Sequence, residues 1–217
     1  AFGIAYSQAA GNRQCIIDGA LTKRFQAGQA AHGAVLAVFL AKEGFTGAEN
    51  VFAGQYGFFP MYQPDGYDLS LIDQGLGEEF MGDRVSFKPY PCGRPTHSYI
   101  DAAVKLHGEL DLGNKTLESV VVRTGPETYS SRYSVSSGVV RPQQQVEAQF
   151  SLPYLIGCAL ARGGVDIDHI NAFDDPAVLA ASALVQGESK NGAPKGWAEI
   201  EVVCAEGMSA SVELEPP

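Results

Sequence analysis

The pattern of apolar and polar positions changes period between Val85 and Ala103, and the rest of the chain falls on either side of that change. Val85-Ser86-Phe87 alternates with the period of two that a strand requires. Pro89, Pro91 and Pro95 then stiffen a turn. Thr96 stands where an N-cap belongs, and Ile100, Ala103 and Val104 follow at helical spacing. Upstream, residues 1–8 read as the end of a helix rich in small residues, broken at Gly11-Asn12. Residues 18–28 read as a polar, glycine-punctuated loop. Residues 29–43 carry small and apolar side chains on nearly every face, the pattern of a helix buried on several sides. Gly44 supplies its stop. Thr46 and Glu49 have capping-box spacing for a short helix ending near Gly54. Residues 58–63, aromatic and broken by proline, predict a packed loop. Leu69, Ile72 and Leu76 can line one face of a short helix. Gly75, Gly77 and Gly82 then loosen the chain, and a domain boundary is expected there.

Downstream of the central helix, residues 114–123 predict a strand through Leu117, Val120, Val121 and Val122, ended by Gly125-Pro126. Residues 129–138 are serine-rich and weakly patterned, as in an exposed loop. Residues 146–160 predict helix, with Ser151 as an N-cap so that Pro153 falls in a first turn, where its missing N–H costs nothing. Gly163-Gly164 closes that helix. Asp175-Pro176 is an N-cap and N1 pair for a helix through Leu184. A polar loop is expected from Gln186. Residues 197–203 and 209–213 then alternate about Glu206-Gly207, a hairpin signal. The reading is therefore α+β: helical residues 1–82, then an α+β domain, residues 83–217, with a mostly antiparallel sheet near Val85, Leu117, Ile200 and Val212.

Composition narrows the function classes. Hydrophobic content of 45% with 18% charged residues suits a globular protein with a proper core. A net charge of −10 argues against nucleic acid as the main partner. No apolar run reaches the length of a membrane span, and no n-region precedes an apolar core as in a signal peptide. Cys15, Cys92, Cys158 and Cys204 are too dispersed for a metal site, an iron–sulfur cluster or a disulfide framework, so reduced thiols in the cytoplasm are expected. No metal and no cofactor are expected.

Against that acidic background the central turn reverses sign. Between Arg84 and Ile100 stand Lys88, Arg94 and His97, and no acid. A helix N-terminus favours anions through its N–H groups and dipole. Lys88, Arg94 and His97 beside one make a candidate carboxylate or phosphate site, although a solvated basic turn would carry the same residues.

Lys88-Pro89-Tyr90-Pro91-Cys92 with Arg94, Thr96-His97 and Ile100-Asp101-Ala102-Ala103 resembles a segment of the MmgE/PrpD family. That family includes 2-methylcitrate dehydratase, cis-aconitate decarboxylase and iminodisuccinate epimerase. Thr22-Lys23-Arg24 with Gly28 and Ala30-Ala31 is a second match, and Glu147-Ala148-Gln149-Phe150-Ser151-Leu152-Pro153-Tyr154 a third. Many members carry histidine where this chain has Gln26.

The resemblance implies that the chain is the C-terminal part of such an enzyme, the end of its helical domain followed by a smaller α+β lid. It implies cofactor-free lyase chemistry, dehydration or decarboxylation, on a di- or tricarboxylate. Epimerisation of an iminodisuccinate-like dicarboxylate is the alternative, and a partial, non-catalytic chain a third reading. By the same resemblance Lys23, Lys88 and Tyr154 are catalytic and Arg24, Arg94, Thr96 and His97 bind substrate. The three catalytic residues are then expected to converge on a cleft between the two domains. Partners are expected to be the small carboxylate and either a second copy or a chain supplying the N-terminal helical half.

Overall fold

The computed structural model describes residues 1–18, 20–130 and 140–215. The expected serine-rich loop falls largely on residues 131–139, outside them. The chain divides into two units, Ala1–Ser86 and Phe87–Pro217.

The first unit holds helices α1 (Phe2–Tyr6), α2 (Gln14–Ile17), α3 (Thr22–Lys42) and α4 (Phe58–Tyr62). Helix α3 starts seven residues earlier than its apolar pattern suggests, because Thr22 to Ala27 contains no breaker and continues the same backbone hydrogen bonding. Lys23 and Arg24 are therefore on a first helical turn and not in a loop. Gly44 ends the helix at φ 84°, a conformation glycine adopts without strain. Burial on several sides is not found. On α3 only Gly33 and Ala37 are buried, while Val35, Val38 and Phe39 are 57%, 57% and 62% exposed. The reason is that α1 and the short α2 are the helices packed on it.

Other expectations in this unit are corrected. Residues 46–54 are irregular, with a turn at 51–53 closed by Gly54 N–H to Asn50 O at 3.1 Å, and form no capped helix. Residues 58–62 wind into α4, whose Phe58 and Tyr62 rings meet at 5.0 Å. Around Leu69 the chain makes one 3-10 turn, Leu69–Leu71, capped by Asp68.

The second unit is α+β. Its elements run α5 (His97–Leu110), β1 (Leu117–Thr124), α6 (Pro126–Tyr129), α7 (Gln145–Phe150), α8 (Leu152–Arg162), α9 (Ile167–Asn171), α10 (Pro176–Ala183), β2 (Val185–Ser189), β3 (Ala198–Cys204) and β4 (Ser209–Leu214). The sheet order is β2-β1-β3-β4. β1 pairs with β2 in parallel, and the other two pairings are antiparallel, so the sheet is mixed. β2 falls where a polar loop is expected from the sequence. Its sequence, Val-Gln-Gly-Glu-Ser, has one buried residue, as suits a polar edge strand. The strand expected at Val85 is absent: Val85 is 70% and Phe87 96% exposed, and three alternating residues without a partner strand carry no ladder.

One face of the sheet presents Val120, Val122, Ala198, Ile200 and Val202 to α5, and α5 packs on α8 behind it. Ile100, Ala103 and Leu106 of α5 and Leu155, Ile156 and Leu160 of α8 are fully or almost fully buried there. Each large side chain so buried contributes about 1.5–3 kcal/mol. Helix α10 packs on α8 at Gly157, where a Cβ would stand 2.2 Å from Ser182 Oγ and 2.8 Å from Val178 O. On the other face Arg123 donates to Glu188, Glu199 and Glu201 at 2.8, 2.8 and 3.0 Å, tying three strands together. Among the described residues no helix is long and apolar enough to cross a membrane.

Candidate functional site

The turn from Lys88 to Thr96 enters α5 through a short 3-10 turn, Arg94–Thr96, in which Pro95 presets the helical φ. Thr96 is the N-cap by position but does not cap with its side chain. Its hydroxyl donates to Gly93 O at 2.7 Å and lies 3.2 Å from Cys92 Sγ, so it is spent inside the turn. Lys88, itself exposed, folds back to donate from Nζ to Cys92 O at 3.2 Å. Arg94 is exposed. The Cys92 thiol is buried, and burial pushes its pKa up, so it is a neutral packing group.

His97 opens α5 and is 5% exposed, yet its Nε2 has no hydrogen-bond partner. Burial, and then the nearby positive charge of Lys88, hold its pKa below the ordinary 6.5; Asp101 opposes them and Arg94 adds to them. The imidazole is therefore neutral near pH 7, the form that can accept a proton. The Tyr90 ring stands edge-on to it, with centroids 5.4 Å apart. Tyr90 in turn donates its hydroxyl to Asp101 Oδ1 at 2.5 Å, clipping the turn to the helix one turn beyond His97. Gln149 of α7 holds the turn from another side, donating from Nε2 to Pro91 O at 3.2 Å, and its Oε1 is buried with no partner. Two unsatisfied polar atoms thus flank one cationic turn.

The fold brings Lys88, Arg94, Thr96 and His97 together. Tyr154 is on α8, fully buried, with its hydroxyl donated to His169 O at 2.7 Å. Burial raises its pKa well above that of free tyrosine. Lys23 and Arg24 belong to the first unit, half-buried and exposed respectively. That unit contains a pocket of about 650 Å3, with Gln8, Asn12, Cys15 and Gln26 on its wall. Gln26 donates to Asn12 O at 3.0 Å and to Cys15 Sγ at 3.3 Å. Neither Lys23 nor Arg24 lines it, and its charged wall residue is Asp18, so its lining offers a carboxylate no cation. Among the described residues no three His, Cys, Asp or Glu side chains cluster as metal ligands would.

Tyr90, Asp101 and Gln149 are additions from the structure. Asp101 sits four residues after His97, a spacing that puts both on one helix face. Nothing in the sequence shows which atom of the Gln149 amide is satisfied.

Two family models match the chain. The family model described as the MmgE/PrpD C-terminal domain matches residues 90–208, and that of the MmgE/PrpD N-terminal domain matches residues 1–69. A cis-aconitate decarboxylase-like protein, oryM, of Aspergillus oryzae is 30% identical over 117 residues. The alignment covers 49% of this chain and 23% of that protein, so the chain spans less than a quarter of the relative it matches.

Proposed function

The chain belongs to the MmgE/PrpD family, and from that premise we propose that it serves a cofactor-free lyase acting on a di- or tricarboxylic acid. The observation that carries this reading is the buried, neutral, unpartnered His97 beside Lys88 and Arg94 at the start of α5. Lys88 has two further N–H donors beyond its bond to Cys92 O, and with Arg94 it can hold carboxylates. For exposed cations such as these, a carboxylate at 4 Å gains only about 1 kcal/mol each in bulk water, and more as the bound substrate excludes solvent. Removing a proton from the carbon beside a carboxylate builds up negative charge on that group, so Lys88 stabilises the product of the step more than its substrate. Neutral His97 is the group of this turn whose free lone pair can take that proton, which requires its buried Nε2 to be uncovered when substrate binds. For dehydration, hydroxide then leaves the adjoining carbon, is protonated to water, and the double bond forms; for decarboxylation no carbon proton is removed first, because the electron pair of the breaking C–CO2 bond relocates the double bond and its far carbon takes up a proton.

Thr96 shapes the turn. For Tyr154 to donate a proton its hydroxyl must leave the His169 carbonyl, and burial makes it a weak acid. Lys23 and Arg24 rest on the family resemblance alone. The exposed apolar side chains of α3 support completion of the helical unit by further helices, from a second copy or from an N-terminal helical half.

The test is to incubate the protein with 2-methylcitrate, cis-aconitate and iminodisuccinate and follow each by proton NMR. Loss of water or of carbon dioxide from one of the first two is the expected result. Inversion of iminodisuccinate alone would transfer the same residues to an epimerase, and no turnover of any of the three would refute the reading.

A further inference from the structure

Tyr90 stands between two prolines, Pro89 and Pro91. The proline after it confines its backbone to extended conformations, and Cys92 N–H donates to its carbonyl at 2.9 Å, so the turn that carries the ring is stiff. The ring packs on the core of the second unit and meets His97 edge-on at 5.4 Å. Its hydroxyl reaches Asp101 Oδ1 at 2.5 Å, the length of a hydrogen bond to an ionised carboxylate. Asp101 shares with His97 one face of α5. Ring, base and anchor therefore meet on one turn of one helix. Phenylalanine would offer His97 the same ring edge, so the hydroxyl serves the bond to Asp101. Burial, and then that bond and the Asp101 charge, push its pKa far above the ordinary 10, so it stays a donor and moves no proton.

The imidazole needs such support. Its Nε2 makes no hydrogen bond, and the hydroxyl of the preceding Thr96 is committed to Gly93 O. A general base acts only while its lone pair is aimed at the proton it takes, and a ring free to turn spends much of its time aimed elsewhere. We propose that Tyr90 is a positioning residue for the reaction: its ring, clipped to α5 through Asp101, fixes the rotamer of His97 and keeps the imidazole aimed as the site opens to substrate. This rests on the reading of His97 as the base of the Lys88 turn. Tyr90 touches neither the carboxylates nor the reacting carbon on this account, so losing the clip slows the chemical step without weakening binding.

The clip is broken from either end, by Tyr90→Phe, which keeps the ring, and by Asp101→Ala, at an exposed helix position that alanine suits. On whichever acid is consumed, each variant is expected to lower kcat roughly ten- to a hundredfold while KM changes less than about threefold. The double variant is expected to be no slower than the slower single one, since both remove the same contact. Asp101→Asn keeps an acceptor oxygen for Tyr90 and is expected to restore most of the loss. In chains isotope-labelled at the histidine rings, His97 is expected to give one narrow set of signals when unaltered, and broadened or doubled signals in Tyr90→Phe and Asp101→Ala. Unchanged kcat in both variants, or a rise in KM alone, would overturn this inference and leave the carboxylate site standing. Losses that multiply in the double variant would overturn the clip. His97 signals that stay single and narrow in both variants would overturn it without any assay of turnover. Signals that change as expected in a chain that consumes none of the acids would overturn the carboxylate reading and leave Tyr90 as what fixes the His97 ring.

Discussion

His97 shows how far a single residue can be read from sequence. Its place behind Lys88 and Arg94 in a stretch without acids marks it as a member of an anion-attracting turn, and the structure puts it there. What the sequence does not carry is its burial, which leaves Nε2 unpartnered and makes desolvation the largest influence on its charge. The sign of the consequence follows. The folded chain binds the His97 proton less readily than the unfolded one, so the unfolded state takes it first as pH falls. Stability from this group is complete above the ordinary 6.5 and is lost as pH falls below it toward the folded value. A proton-NMR titration of the His97 ring should give a midpoint below 6.5. Asp101→Asn, which removes the opposing carboxylate, should move it lower, and Lys88→Ala should move it back up. A midpoint at or above 6.5 would contradict the desolvation of His97, and one well above 7 would leave it charged where the proposed chemistry needs it neutral. Gln149 lies at the other limit. It stands in a legible run, yet an amide's function depends on which of its two atoms is satisfied, and only the contact with Pro91 O decides that.

At the scale of elements, legibility followed the local strength of the signal. The N-caps at Ser151 and Asp175 accept from Tyr154 N–H and Ala177 N–H, as their Ser-x-Pro and Asp-Pro sequences imply. The β3–β4 hairpin follows its alternation, with Ala198, Ile200, Val202 and Cys204 buried in turn. Failures occurred where partners decide. Val85-Ser86-Phe87 alternates but has no strand beside it, whereas β2 scarcely alternates but lies parallel to β1 over Val120 to Thr124. Gly157 belongs to the same class. It is a poor helix residue by propensity, and it is there because α10 approaches too closely for a side chain. Gly157→Ala should destabilise the second unit by about 1–3 kcal/mol in denaturant unfolding, despite alanine's higher helix propensity. A stabilised variant would show that the α8–α10 contact gives way and does not fix the packing.

For the whole molecule, an acidic chain of net charge −10 carries one acid-free turn with Lys88, Arg94 and His97 in its α+β unit, and its helical unit leaves α3 largely uncovered. The α+β class was legible because the first half reads at the helical period and the second intersperses helical stretches with alternating ones. The exposure of α3 was not, because an apolar helix reads as buried whether or not this stretch of chain supplies what covers it. The central claim is that the Lys88 turn is where the carboxylate is held during reaction. Lys88 is exposed and makes one hydrogen bond to Cys92 O, so Lys88→Ala should leave the thermal midpoint nearly unchanged. The decisive measurement is the turnover number of that variant against the unaltered chain on whichever of the three acids is consumed, with both melting curves recorded. A fall of roughly a hundred- to ten-thousandfold at equal thermal stability is predicted. Undiminished turnover would contradict the account, because the turn would then be a solvated surface feature.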